Sequence, residues 1–377
     1  MISRDEMAKL AKGYKGLTVG VVGSHSALDV CEGAKAEGFQ TLVVCEKGRE
    51  KVYSHYYKTR TRGSKTLGIV DETLVLPRFR DMANAANVKK LQEKSTILVP
   101  HRSFSVYVGY DAIENDFAVP IFGNRALLRA EERNAARNQY YLLKKAGVRT
   151  PRTFSTPDKI DCLTLVKASE ARRSYERAFF FAASSDEYEE RSRELIKKGI
   201  ITEAGLKAAP IEEFVLGAQY NFNFFVSPLS GELELSGIDM RRQTNLDGVL
   251  RLPAAQQIEV EKHARINNIE IGHVACTIKE SMLEKVFAEG EKFAESCRKE
   301  YAPGIIGPFA LQGAVVPEEK GEEIVIFDVS FRMPGSPGTR FTPYSGYLFR
   351  ENISVGRRVA QEIAKAKKEK RIGEVIT

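Results

Sequence analysis

The sequence predicts a chain of mixed α/β and α+β architecture with more than one domain. Three observations carry this. In the N-terminal third, apolar runs alternate with helical segments, as in a parallel sheet wound with helices. In the middle, an apolar run ending in Lys167 is followed by a basic stretch and a second apolar run, a hairpin pattern. In the C-terminal third, two strands over 307–316 and 323–332 flank the turn material Pro317-Glu318-Glu319-Lys320-Gly321. At 377 residues the chain exceeds one ordinary core.

The elements follow in order. Residues 2–13 read as a short amphipathic helix. Residues 17–22 (LTVGVV) form a buried strand, which runs into Gly23-Ser24-His25-Ser26, a helix over 27–38 stopped at Gly38, and a strand over 41–44. This β-α-β unit lacks G-x-G-x-x-G, so no dinucleotide site is expected. Polar residues stand where its first strand meets a helix N-terminus, a position that favours anions. His25 lies there. Further strands cover 71–76 and 95–100, the second ending in His101-Arg102-Ser103-Phe104. Parallel strands share an edge, so the two His/Ser turns are expected side by side as a phosphate or ribose site. Phe122-Gly123-Asn124-Arg125 closes the region, and 126–146 reads as one helix. Strands over 163–167 and 178–183 make the hairpin. A helix over 185–198, the segment Ile211-Glu212-Glu213-Phe214-Val215-Leu216-Gly217 and strands over 220–226 and 233–238 come next.

Composition narrows the function. Hydrophobic residues make up 43% and charged residues 28%. No apolar run approaches the roughly 18–20 residues of a membrane span, and the N-terminus has no apolar core of a signal peptide. A cytoplasmic location without membrane contact is expected. The five cysteines form no C-x-x-C pair and are read as buried and reduced. The net charge of +7 is dispersed, without basic–aromatic interleaving, so anionic small molecules rather than nucleic acid are the expected partners. No Ser/His/Asp or Cys/His constellation calls for a protein nucleophile.

The 305–340 stretch carries the most chemistry. In its second strand Val325, Phe327, Val329 and Phe331 point one way; Ile324, Ile326, Asp328, Ser330 and Arg332 point the other. A hairpin symmetric about Lys320 sets Gln312 opposite Asp328. An amide oxygen and a carboxylate beside an arginine suit a hard cation carrying phosphate. An edge hairpin with one wetted face gives the same pattern.

The order of elements resembles the ATP-grasp carboxylate–amine ligases. More narrowly, nearly the whole chain is similar to the archaeal formate-dependent AICAR ligases, where AICAR is 5-aminoimidazole-4-carboxamide ribonucleotide. The likeness rests on Gly23-Ser24-His25-Ser26, Gly33-Ala34-Lys35-x-Glu37-Gly38-Phe39, Lys47-Gly48-Arg49, Val99-Pro100-His101-x-Ser103-Phe104, Phe122-Gly123-Asn124-Arg125, Ile211-Glu212-Glu213, Asn245-x-Asp247-Gly248, Arg251-x-Pro253-Ala254, Glu280-Ser281-x-Leu283 and Ile306-Gly307-Pro308-Phe309-x-Leu311-Gln312. The resemblance implies an ATP-grasp fold with an N-terminal Rossmann-like parallel βα domain. It implies lobes over 1–125 (AICAR side), 126–217 (small lobe with a phosphate-covering loop) and 218–377 (large lobe with the metal site). The implied reaction is ADP-forming formylation of AICAR through formyl phosphate, in purine biosynthesis, with ATP and Mg²⁺ or Mn²⁺. The implied binding residues are His25, Ser103 and His273 for AICAR or formate, Lys167, Arg177, Glu212, Glu213 and Gln243 for ATP, and Gln312 and Asp328 for metal. A homo-oligomer is also implied.

The chain departs from that family on the nucleotide and metal side. Its 168–177 loop has no glycine and carries Arg172, Arg173 and Arg177. Glycine there lets backbone N–H groups approach phosphate, so the arginines either substitute charge for backbone donors or mark a loop that has lost that task. Asp328 is one methylene shorter than the family's glutamate, Gln243 replaces a glutamate and His273 an asparagine. Pro334-Gly335-Ser336-Pro337-Gly338-Thr339-Arg340 replaces a G-G-T-N segment. His25 and Ser103 match. An ATP-grasp ligase for a related nucleotide and a non-catalytic nucleotide-binding homologue are the alternatives these changes leave.

Overall fold

The computed structural model describes residues 1–132, 135–169, 171, 177–266, 268–319 and 321–377. The chain divides into two compact units. The first comprises 1–148, 219–313 and 328–377; the second comprises 149–218 and 314–327.

The first unit opens with a parallel sheet. Strands β1 (Thr18–Val22) and β2 (Gln40–Glu46) are followed by a small separate hairpin, β3 (Arg60–Arg62) and β4 (Lys65–Leu67), then by β5 (Glu72–Leu76) and β6 (Thr96–Leu98). The sheet order is β5-β2-β1-β6 with all pairs parallel. Its inner strands β1 and β2 are apolar on both faces because both are covered. Val19, Val21 and Val43 pack under the helices Ala27–Ala36 and Val355–Lys368. Val22, Leu42, Val44 and Leu98 pack on the other side with Phe79, Leu91 and Phe104. The two helices on the first face touch through glycine. A side chain at Gly33 would lie 2.3 Å from the Arg357 backbone, and one at Gly356 would lie 2.2 Å from the Asp29 carbonyl.

The second unit contains β7 (Thr153–Phe154), β8 (Thr164–Ser169), β9 (Arg177–Ala182) and β10 (Ile211–Glu213), in the antiparallel order β7-β10-β8-β9. The helix Ser185–Lys197 packs on it through Tyr188, against Val166, Phe180 and Ile211. The expected hairpin and helix are present. The loop residues Arg172 and Arg173 lie outside the described residues.

The remaining strands, β11 (Ala218–Val226), β12 (Leu233–Asn245), β13 (Asn268–Cys276), β14 (Gly307–Glu318) and β15 (Gly321–Ser330), form a five-stranded sheet in the order β13-β12-β11-β14-β15. In the first unit the helix Leu283–Glu300 covers it. There Phe224, Phe309, Phe293 and Phe331 stack in series, with centroids 5.1, 6.0 and 5.7 Å apart. β12 runs on through the polar residues Asp239–Asn245, beyond the 233–238 expected, and β13 was not foreseen.

The expected single helix over 126–146 is instead two, Arg125–Arg129 and Gln139–Ala146. The second starts where the Asn138 side chain accepts the Tyr141 N–H. The break has a purpose at β15, an edge strand. Gln139 Oε1 accepts the Val329 N–H at 2.6 Å, and Glu131 Oε1 accepts the Phe331 N–H at 2.7 Å. Two side chains thus satisfy alternate edge donors that a further strand would otherwise take. The Phe122-Gly123-Asn124-Arg125 motif is structural. Arg125 donates to the carbonyls of Ile113, Phe117 (2.9 Å), Val119 (2.8 Å) and Thr377 (3.2 Å). Asn124 donates to the Gly304 carbonyl at 2.9 Å.

Candidate active site

The parallel sheet presents its carboxyl edge where β1 and β6 end. His25 follows β1 with φ 50°, a left-handed conformation. Its Nδ1 is 2.6 Å from Ser26 Oγ, and the Ser26 hydroxyl donates to the Pro334 carbonyl. A hydroxyl has one proton, so His25 Nδ1 carries the N–H and its Nε2 is an acceptor. The ring stacks on His101, with centroids 5.3 Å apart. His101 is fully buried. Its Nε2–H donates to the Val22 carbonyl at 2.8 Å, and its Nδ1 accepts the Ser103 N–H at 3.2 Å. The two His/Ser turns are therefore neighbours. Loss of water around the rings, then nearby cations including Arg332, hold both imidazoles below their usual pKa, His101 at about 4.

The segment after β15 closes on this edge. The Met333 N–H donates to the Pro100 carbonyl at 3.1 Å. Gly335 then faces two imidazoles. A Cβ there would lie 2.9 Å from His25 Nε2 and 3.0 Å from His273 Nε2.

His273 belongs to a chain of polar side chains across the five-stranded sheet. Its Nδ1 is 2.6 Å from Asp239 Oδ2 and its Nε2 is 2.9 Å from Glu270 Oε1. Burial works against its charged form, but the two carboxylates outweigh it and raise its pKa to about 9. Asp239 is fully buried and also accepts from Asn221 and Asn223, each at 2.7 Å. Burial alone would raise its pKa; its three donors bring it below the usual carboxylate range. Glu270 Oε2 continues the chain to Arg241 Nε at 3.1 Å. Arg241 Nη2 donates to Gln312 Oε1, and Gln312 Nε2 donates to Ser330 Oγ at 3.0 Å.

Both ring nitrogens of His273 are therefore engaged. Gln312 bonds to Ser330, the residue two beyond Asp328 on the same strand face. Asp328 is half-buried and acts on the largely buried Glu131 carboxylate, whose pKa burial raises while Arg332 and the Phe331 N–H oppose the rise. Arg332 Nε is 3.3 Å from Glu131 Oε2. The donor set at Gln312 and Asp328 is an amide oxygen and a carboxylate, which fits a hard cation in chemical type. Among the described residues, no group of three or more His, Cys, Asp or Glu side chains is arranged to hold a metal. Gln243, opposite Glu270 across β12 and β13, has its backbone N–H on Asp247 Oδ2 at 2.8 Å. Reading the sequence missed Asp239, Arg241 and Glu270. The signal was the polar alternation Asp239, Arg241, Gln243, which marks one strand face.

In the second unit Lys167 Nζ pairs with Glu212 Oε2, both largely buried. Glu213 Oε2 accepts the Arg152 N–H at 3.1 Å. The Arg177 side chain lies outside the described residues. Among those residues, no helix is long and apolar enough to cross a membrane.

Two family models match, one described as a domain of unknown function (DUF1297) over residues 187–377, the other as a protein of unknown function (DUF1246) over 19–154. A 5-formaminoimidazole-4-carboxamide-1-(beta)-D-ribofuranosyl 5'-monophosphate synthetase of Methanopyrus kandleri is 36% identical over 379 residues, covering 100% of both chains. The crystal structure of an IMP biosynthesis protein PurP from Thermococcus kodakaraensis is 28% identical, with TM-score 0.70, covering 95% of this chain and 100% of that one. The ADP complex of an N5-carboxyaminoimidazole ribonucleotide synthetase, 13% identical with TM-score 0.54, covers 90% of this chain and 78% of its own. This last likeness is one of fold alone. The fold is ATP-grasp with an N-terminal parallel sheet.

Proposed function

The chain belongs to the family of 5-formaminoimidazole-4-carboxamide ribonucleotide synthetases, and from that membership we propose that it formylates AICAR with formate and ATP in purine biosynthesis, in the cytoplasm. Formate alone is a poor acyl donor because hydroxide would have to leave. Transfer of the γ-phosphoryl group to a formate oxygen gives ADP and formyl phosphate. The 5-amino nitrogen of AICAR then bonds to the formyl carbon, the carbon–oxygen bond to phosphate breaks, and the nitrogen gives up a proton. No protein nucleophile takes part. The chain aligns the substrates and compensates their charge.

His25 Nε2 carries this reading. It is an acceptor held at the carboxyl edge of the parallel sheet, facing Gly335, and neutral over the physiological range. It takes an N–H or O–H of AICAR. Ser103 lies at the same sheet edge, and His273 meets the same position at Gly335 with its ring held by two carboxylates. Lys167, Glu212, Glu213, Gln243 and Arg177 hold ATP. Gln312 and Asp328 would hold Mg²⁺ or Mn²⁺, which would neutralise phosphate charge. The lobes 1–125, 126–217 and 218–377 divide these tasks, and the active form is a homo-oligomer.

The test is ADP release. Release that requires formate, AICAR and Mg²⁺ together supports the assignment. Release with another acid or amine, and none with this pair, replaces it with a ligase for a related nucleotide. Thermal stabilisation by AICAR without ADP release replaces it with a binding homologue.

A further inference from the structure

We propose that Arg241 competes with the divalent cation for the carbonyl oxygen of Gln312, and so sets how tightly the cation binds without nucleotide. The inference rests on the reading of Gln312 and Asp328 as the cation's ligands. The amide of Gln312 is oriented at both ends. Its nitrogen donates to Ser330 Oγ at 3.0 Å, and its oxygen accepts from Arg241 Nη2. A guanidinium has no acceptor, so this orientation is dictated by Arg241. In the sheet order, β11 separates Arg241 on β12 from Gln312 on β14. The Arg241 and Gln312 side chains together therefore bridge two strand spacings, about 9.6 Å.

Glu270 anchors the guanidinium from the other side at 3.1 Å and is itself held by His273 at 2.9 Å. Arg241 is about one-third exposed, so its head has room to leave Gln312 while keeping Glu270. A carbonyl oxygen has two lone pairs, but two positive centres on one oxygen repel strongly at such range. Arg241 and a divalent cation are thus alternatives at Gln312, and Asp328 is the ligand that favours the cation.

The experiment measures Mn²⁺ alone, by the electron paramagnetic resonance signal of the free ion, without nucleotide or turnover. The proteins are the unaltered chain, Arg241→Met, Arg241→Lys and Asp328→Asn, each checked for folding by circular dichroism. Loss of one charged hydrogen bond at the competing oxygen should tighten Mn²⁺ binding about tenfold in Arg241→Met. Arg241→Lys, which keeps the charge but loses the fork, should fall between. Asp328→Asn should abolish binding. Unchanged or weaker binding in Arg241→Met, with binding lost in Asp328→Asn, overturns the competition and leaves the ligand assignment standing. Unchanged binding in Asp328→Asn removes the ligand assignment and the competition with it.

Discussion

The imidazole edge and the strand wall are both polar, but they are fixed in different ways. At the edge, side chains bond to main chain. His101 holds the Val22 carbonyl and the Ser103 N–H, and Ser26 holds the Pro334 carbonyl. Those partners are part of the fold and cannot be exchanged without moving backbone. Along the wall, side chains bond to side chains, from Asp239 through His273, Glu270 and Arg241 to Gln312 and Ser330. Such a chain can be re-wired by substitution. Of the residues the resemblance implies, His25 and Ser103 stand at the edge, and His273 and Gln312 stand in the wall.

The sharpest way to break this contrast is Asp328→Asn. Mg²⁺-dependent turnover should fall by roughly 100- to 1,000-fold, as when a charge-stabilising group at the reacting centre is lost. AICAR affinity by calorimetry should hardly change. A parallel loss of AICAR affinity would mean that edge and wall are one unit. Next in size is Gly335→Ala. Its Cβ would press on His25 Nε2 at 2.9 Å and on His273 Nε2 at 3.0 Å. Overpacking costs about 1–3 kcal/mol, so AICAR affinity should fall roughly 10- to 100-fold. Unaltered affinity would show that AICAR does not use this gap.

The smallest effect concerns pH. The folded pKa of His273 is raised from 6.5 to about 9. Its charged form therefore adds stability that is fully present below 6.5 and lost as pH rises through about 9. The melting temperature should decline across that window, and His273→Gln should remove that part of the slope. An identical slope in the variant would mean that the wall is held without the imidazolium.

Much of the fold was legible. The apolar runs of β1 and β2 and the Gly38 stop read directly, because both faces of a parallel strand are buried and a helix ends where φ turns positive. The hairpin of β8 and β9 read equally well. The helix break between Arg129 and Gln139 did not, because its cause is remote. Glu131 and Gln139 are drawn off to the edge of β15, some 190 to 200 residues away in sequence. The polar end of β12 was missed because Asp239-Met240-Arg241-Arg242-Gln243 lacks the apolar alternation that marks a strand. Its side chains face a network rather than a core.

The sequence by itself determined which residue types stand at the sheet's carboxyl edge, because strand and turn are local patterns and parallel strands end together. Tertiary structure alone decided how those residues are held. The His25 tautomer depends on a carbonyl at Pro334, the charge of His273 on Asp239 and Glu270, and the orientation of Gln312 on Arg241. Hydrogen bonds and charge interactions act across space between distant positions, and no local pattern encodes them.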